Sequence, residues 1–172
     1  FGFYIHYCGF FFIKKVFFFC KKTKFSIKKR KFSEFIRKNI PKNVIELAKK
    51  HILDGFGLAL SGSVARTGEY LFKHIKKNSA KGKATVIGST MKLPSQFAAL
   101  ANGVGIHSDD YDDTQLAVAK DRVYGLLTHP TAPCLPSAFA EGEIHKINGK
   151  DFLNAYLIGV DVECKILSLI HI

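Results

Sequence analysis

The stretch "SQFAALANGVGIHSDDYDDT", residues 95–114, decides the fold. Ser95 is a good helix N-cap, because its hydroxyl can accept from a first-turn amide. Ala98, Ala99, Ala101, Gly103 and Gly105 come next, so the spacing predicts a helix with almost no side-chain bulk. A bare helix of this kind lets a neighbouring backbone approach closely. It delivers His107 and then Asp109, Asp110, Asp112 and Asp113 at its C-terminal end. Carboxylates are disfavoured there, since the helix dipole is negative at that end, and the placement points to a use beyond stability.

Working outward, "SEFIRKNIPKNVIELAKKHILDGFGLALSGS" (33–63) reads as a short helix, a break and a long helix, with Pro41 in the first turn of the second. Ile45, Ala48, Ile52, Phe56 and Ala59 recur at spacings of three and four and give it one apolar face. Ser61-Gly62-Ser63 is its stop. A third helix is expected over 64–77, with Tyr70, Leu71, His74 and Ile75 toward the core and His74 as a packed or half-exposed residue. The following segment reads as loop, with one short strand at 84–87. Beyond the aspartates, the sequence predicts a loop, a Pro-punctuated turn, a helix over 137–145 opened by Pro136, a break at Gly149 and a last helix. That last helix has Phe152, Ala155, Tyr156, Gly159, Val162 and Ile166 on its inner face. About six helices and at most one strand make the fold class all-α, a multi-helix bundle.

Charge is distributed unevenly. Residues 1–50 hold 14 Lys/Arg against 2 Asp/Glu, whereas residues 51–172 hold 12 of each, which accounts for the net +12. The folded part is therefore neutral, which argues against nucleic acid as a partner, because a nucleic-acid module carries its basic residues on the fold itself. Cys8, Cys20, Cys134 and Cys164 form no CxxC pair and are too scattered for a disulfide framework, so they read as small buried thiols in a reducing compartment.

The two ends differ in texture from the middle. Of the first 32 residues 23 are Phe, Lys, Ile or Tyr, the residues of A/T-rich codons. Lys14 and Lys15 interrupt every stretch that could span a bilayer. The order of apolar and basic residues is wrong for a signal peptide, and a transit peptide favours Arg and Ser. The apolar residues come in blocks rather than at helical spacing, so contact of this tail with a membrane surface is not expected. Residues 1–32 are read as non-native or disordered, 33–166 as the domain, and 167–172, "LSLIHI", as an artefactual tail. With Met91 the only methionine, the chain is read as a fragment.

Three uses compete for the aspartate cluster. Paired aspartates with a histidine could hold Mg²⁺ or Mn²⁺ through oxygen ligands, but an aspartate-rich prenyl-transfer site needs two such motifs and an EF-hand needs a different one. Asp109, Asp112 and Asp113 suit side-chain-to-backbone turns that organise the loop and cap the next element. Acid/base chemistry needs a group titrating near neutrality with an orienting partner. His129 in "LLTHPTAP" is that candidate, its backbone pushed toward an extended conformation by Pro130.

"ALANGVGIHSDDYDDT", "THPTAPCLPSAFAEGE" and "INGKDFLNAYLIGVDVECKI" together resemble the N-terminal helical part of the MmgE/PrpD family, and "IPKNVIELAKKHILDGFGLALSG" is similar to its opening helices. The resemblance covers residues 33–166. It implies a helical domain that in the family is joined to a smaller α/β lid domain, absent from this chain. It also implies a homodimer when full length, a small polycarboxylate substrate, and no cofactor or metal. The activity implied is that of a lyase taking a proton from a carbon next to a carboxylate with loss of water, like 2-methylcitrate dehydratase. The alternative is loss of CO₂, like cis-aconitate decarboxylase. The family's D-x-D-D-T motif falls on Asp110 and Thr114 and its H-P histidine on His129, which makes these the expected catalytic residues. His107, Lys120 and Arg122 are expected to contact substrate, the two cations lying in a spacer, "QLAVAKDRVYGLL", longer than in well-known members. The expected location is the cytoplasm, or the mitochondrial matrix in a eukaryote, and the chain without its lid is expected to be inactive. The competing reading is a non-catalytic helical module whose basic aromatic tail binds a membrane or a partner.

Overall fold

The computed structural model describes residues 40–118 and 123–170. Helix α1 (Lys42–Gly62) leads into α2 (Arg66–Asn78). A two-stranded hairpin comes after it, β1 (Ala84–Thr85) against β2 (Lys92–Leu93), and then α3 (Ser95–His107). A second antiparallel hairpin, β3 (Gln115–Val118) with β4 (Val123–Thr128), precedes α4 (Thr131–His145) and α5 (Gly149–Ile170). The architecture is all-α with two small hairpins attached. The helix expected ahead of Pro41, together with Lys120 and Arg122, lies outside the described residues.

Helix α3 is the centre of the bundle because its side chains are small enough to be covered on several sides. Ala98, Ala99, Ala101, Asn102, Gly103, Gly105 and Ile106 are all buried. On one side Ala98, Ala99 and Ala101 join Ile75, Ala84, Val86, Leu93 and Ala140 in an apolar cluster. On the other, Ile106 joins Ala48, Ala59, Ala132, Cys134, Leu135 and Tyr156. The inner face of α1 keeps its three-four spacing: Ala48 and Ala59 are buried, and Ile52 and Phe56 pack beside them. Gly55 belongs to that stripe too, since a Cβ on it would meet Leu135 and Thr131 of α4 at 2.5 and 2.8 Å.

Asn102 ties the first hairpin to α3. Its side-chain oxygen accepts from the Ile87 amide at 2.8 Å and its NH₂ donates to the Thr85 carbonyl at 3.0 Å. Glu143 of α4 accepts from the Thr85 amide at 2.6 Å and holds the other side of the same strand.

Five details differ from the sequence expectation, the first being that the lone strand expected at 84–87 is Ala84–Thr85, paired with a second strand, Lys92–Leu93, inside the expected loop. Helix α2 turns its Gly68, Leu71 and Ile75 side inward, because Gly68 packs directly on the Gly62 and Ser63 carbonyls. Tyr70 and His74 are therefore exposed, and Tyr70 lies under the Arg66 guanidinium at 5.6 Å. Helix α3 is preceded by Pro94 as its cap residue, and Ser95 is its first helical residue and buried. Helix α4 opens at Thr131 rather than beyond Pro136. Pro133 falls in its first turn, where a missing N–H costs nothing, and Pro136 is carried inside a fully buried turn. Finally, the spacer read as a loop is the β3–β4 hairpin, with Gln115 opposite Thr128 and Val118 opposite Val123. Helix α4 ends at Lys146, whose φ of 50° is left-handed, and the Asn148 side chain accepts from the Asp151 amide at 3.0 Å to start α5.

Candidate active site

The end of α3 and the start of α4 meet, and the residues between them form one constellation. His107 closes α3, Asp110 and Asp112 lie in the loop after it, Thr114 precedes β3, and His129 stands between β4 and α4. Because Gln115 pairs with Thr128, the second hairpin sets Thr114 and His129 side by side. The Thr114 hydroxyl is 3.4 Å from His129 Nδ1.

Asp112 is the middle of the cluster, with its side chain 1 % exposed. Its Oδ1 is 2.9 Å from His107 Nδ1 and 3.3 Å from His129 Nδ1. The two imidazole rings lie 4.6 Å apart, centroid to centroid. Asp110 stands at the mouth, its side chain 76 % exposed, with Oδ1 3.6 Å from His129 Nε2 and 4.0 Å from His107 Nδ1. Its φ of 58° places it in the left-handed region, which aspartate tolerates better than most residues. His129 is mostly buried, at 15 % side-chain exposure.

Asp113 faces the other way. One oxygen accepts from the Thr131 amide at 3.0 Å, at the open N-terminus of α4, and the other lies 3.2 Å from His51 Nδ1 on α1. It caps the helix that starts two residues after His129. Behind that turn, Glu163 of α5 accepts from the Thr128 hydroxyl at 2.7 Å and from the Cys134 thiol at 3.1 Å. Burial pushes the Glu163 carboxyl above its ordinary range, and the two hydrogen bonds oppose the rise. Burial and the nearby Glu163 also push the Cys134 thiol well up. Deeper still, the Tyr156 and Thr131 hydroxyls share a buried hydrogen bond of 2.6 Å.

Four of the six residues expected at the site, His107, Asp110, Thr114 and His129, thus stand together, and Lys120 and Arg122 fall outside the described residues. Sequence reading set Asp112 among the loop-organising aspartates, but its partners are two side-chain imidazoles. It also missed His51 and Glu163, whose partners lie 62 and 35 residues away. The His107, Asp110, Asp112 and His129 donor atoms fall within 4.8 Å of one another, so this N/O set is also where a divalent cation would sit. Chemically, the arrangement offers an imidazole edge for proton transfer, an exposed carboxylate beside it, and a hydroxyl donor.

The chain is similar to several known proteins. It is 32% identical over 134 residues to cis-aconitate decarboxylase of Homo sapiens and 30% identical over 134 residues to that of Mus musculus, covering 75% of this chain and 26% of each relative. A cis-aconitate decarboxylase-like protein, oryM, of Aspergillus oryzae is 29% identical over 140 residues, 77% of this chain and 27% of that protein. The chain spans about a quarter of the length of these relatives. The model of the MmgE/PrpD N-terminal domain matches residues 30–172, and the chain belongs to the MmgE/PrpD family.

Proposed function

We propose that this chain is the helical part of a lyase that removes CO₂ or water from a small polycarboxylate. The observation that carries the reading is the juxtaposition of His129 with Asp110 and Thr114, an acid/base pair and a hydroxyl at one mouth. His129 Nε2 and Asp110 move the proton, and Thr114 donates to a substrate carboxylate. In decarboxylation, the C–C bond to the departing carboxylate breaks. Its electron pair is delocalised onto the neighbouring unsaturated carboxylate, and a proton is delivered to carbon. In dehydration, a proton leaves the carbon next to a carboxylate, and the departing hydroxide takes another. Both routes build negative charge on a carboxylate, so both need donors and cations around it. Lys120 and Arg122, which fall between Thr114 and His129 in the sequence, are proposed to supply part of that charge.

The similarity to cis-aconitate decarboxylases favours decarboxylation of an unsaturated tricarboxylate over dehydration of a hydroxylated one. The test is turnover by the intact protein carrying this domain, offered cis-aconitate and 2-methylcitrate in parallel. CO₂ release from the first, and its loss of at least about 100-fold in His129→Ala and Asp110→Asn, is expected of an acid/base pair. An intact protein that turns over neither acid, or variants with unchanged rates, would remove the reading. The 172-residue chain alone is expected to be inactive.

A further inference from the structure

We propose that Glu163 and Tyr156 of α5 are positioning residues that hold the His129 backbone in place from behind. The two are seven residues apart, about two helical turns, so they share one face of α5. Each reaches a threonine beside His129. Glu163 Oε1 accepts from the hydroxyl of Thr128, the residue before it, at 2.7 Å. The hydroxyls of Tyr156 and Thr131, the latter two residues after it, share a bond of 2.6 Å. Glu163 Oε2 also accepts from the Cys134 thiol at 3.1 Å, further into α4. Thr128, Thr131, Cys134 and Tyr156 are all buried, so a bond lost here leaves a buried hydroxyl unsatisfied. Between the two anchored threonines only His129 and Pro130 remain, and the ring of Pro130 fixes its own φ.

The groups that face the His129 ring from the front are farther away. Asp112 Oδ1 lies at 3.3 Å, the Thr114 hydroxyl at 3.4 Å and Asp110 Oδ1 at 3.6 Å, and the last two belong to exposed residues. Contacts of that length follow the ring rather than fix it. The ring is therefore placed by the turn that carries it, and α5 places the turn. A carboxylate suits position 163 because its two oxygens accept at once from Thr128 and from Cys134. The brace itself does not depend on any reaction. Its effect on turnover rests on the function proposed above, since misplacing a reacting group by about 1 Å can cost about 100-fold in rate.

The experiment reads the His129 ring signals in a ¹H–¹³C correlation spectrum of the histidine-labelled 172-residue chain, at one fixed pH with EDTA present. Glu163→Met is expected to shift or double them while leaving those of His74, exposed on α2, where they were. Glu163→Gln, whose amide oxygen still accepts from Thr128, is expected to keep the parent signals. Thr128→Val and Tyr156→Phe, which keep shape and remove one hydroxyl each, are expected to move His129 as Glu163→Met does. Lys165→Ala, on the exposed side of the same helix, is expected to move nothing. If Glu163→Met does not fold, the two hydroxyl deletions decide. His129 signals unchanged in both deletions overturn the proposal, and so does a Glu163→Gln spectrum identical to that of Glu163→Met. In the intact active protein, Glu163→Met and Thr128→Val are expected to lower kcat about 10- to 100-fold with KM nearly unchanged, and Glu163→Gln to retain it. A rise in KM alone, or equal losses in the Met and Gln variants, overturns the proposal too. If the parent turns over neither acid, the function fails while the ring signals still decide the brace.

Discussion

Gly62 of α1 lies so close to Gly105 of α3 that a Cβ on Gly62 would stand 1.9 Å from the Gly105 carbonyl oxygen. The obstacle is backbone, which cannot rotate aside. Gly62→Ala is therefore expected to force the helices apart and cost roughly 1–3 kcal/mol or more, as overpacking does. Gly57, on the same helix, has nothing within 4 Å of its Cβ position, and Gly57→Ala should gain up to about 1 kcal/mol from helix propensity alone. Urea midpoints of the two variants should move in opposite directions, and a Gly62→Ala protein as stable as the parent removes the close-packing argument.

Asp113 replaces the capping side chain that Pro130 cannot provide. Asp113→Ala deprives the Thr131 amide of its acceptor and should cost about 1 kcal/mol. Asp113→Asn keeps a carbonyl oxygen in place and should cost less. The His51 contact is partly solvent-screened, with the His51 side chain 33 % exposed, so a His51/Asp113 double-mutant cycle should return a coupling below about 1 kcal/mol. A larger coupling would mean that the pair, rather than the cap, is the main role of Asp113.

Glu163 gives stability a pH dependence opposite to that of a salt-bridged carboxylate. Its pKa in the folded chain is raised above the ordinary 4.5, so the folded state binds more protons than the unfolded state between those two values. The contribution of Glu163 is thus most favourable below about pH 4.5 and declines as pH rises through the folded value. Glu163→Gln, which keeps an acceptor for Thr128, should flatten that decline and be at least as stable as the parent at neutral pH. Thermal melts across the acid range compare the two. An identical pH profile in both proteins would show that Glu163 is not the source.

The two thiols of the described bundle should be slow to alkylate. Burial pushes Cys164 up to about 11 and Cys134 well above its ordinary value, and the thiolate is the nucleophile. Iodoacetamide at mildly alkaline pH, with peptide mapping afterwards, should label neither at the rate of a free thiol, and both promptly in denaturant. Rapid native labelling of Cys134 would contradict its burial.

The helices were legible where periodicity is strong. The three-four spacing of α1 and the alanine-glycine run of α3 each identify an element and its buried face. Punctuation misled around α4, because Pro130 and Pro133 read as a turn and Pro136 as the helix opener, whereas Pro133 falls in the first turn, which has no amide to lose, and Pro136 lies inside the helix. The β3–β4 strands were too short for period-two alternation to stand out from loop. At the site, the aspartate motif marked the place but could not sort its members. Asp112 and Asp113 are adjacent and chemically identical, yet one faces two imidazoles and the other a helix terminus. That sorting is set by chain direction after α3, with Asp110 in a left-handed conformation, and no local pattern encodes it.

The β3–β4 hairpin joins Thr114 to His129 at its closed base, where Gln115 faces Thr128. Its far end can gain or lose residues in pairs while the base keeps its register, so the sequence distance between the two motifs is uncoupled from their distance in space. The spacer can therefore change in length without disturbing the approach of the Thr114 hydroxyl to His129 Nδ1. The base of the hairpin is in that sense a fixed hinge, which keeps two residues far apart along the chain as immediate neighbours in space.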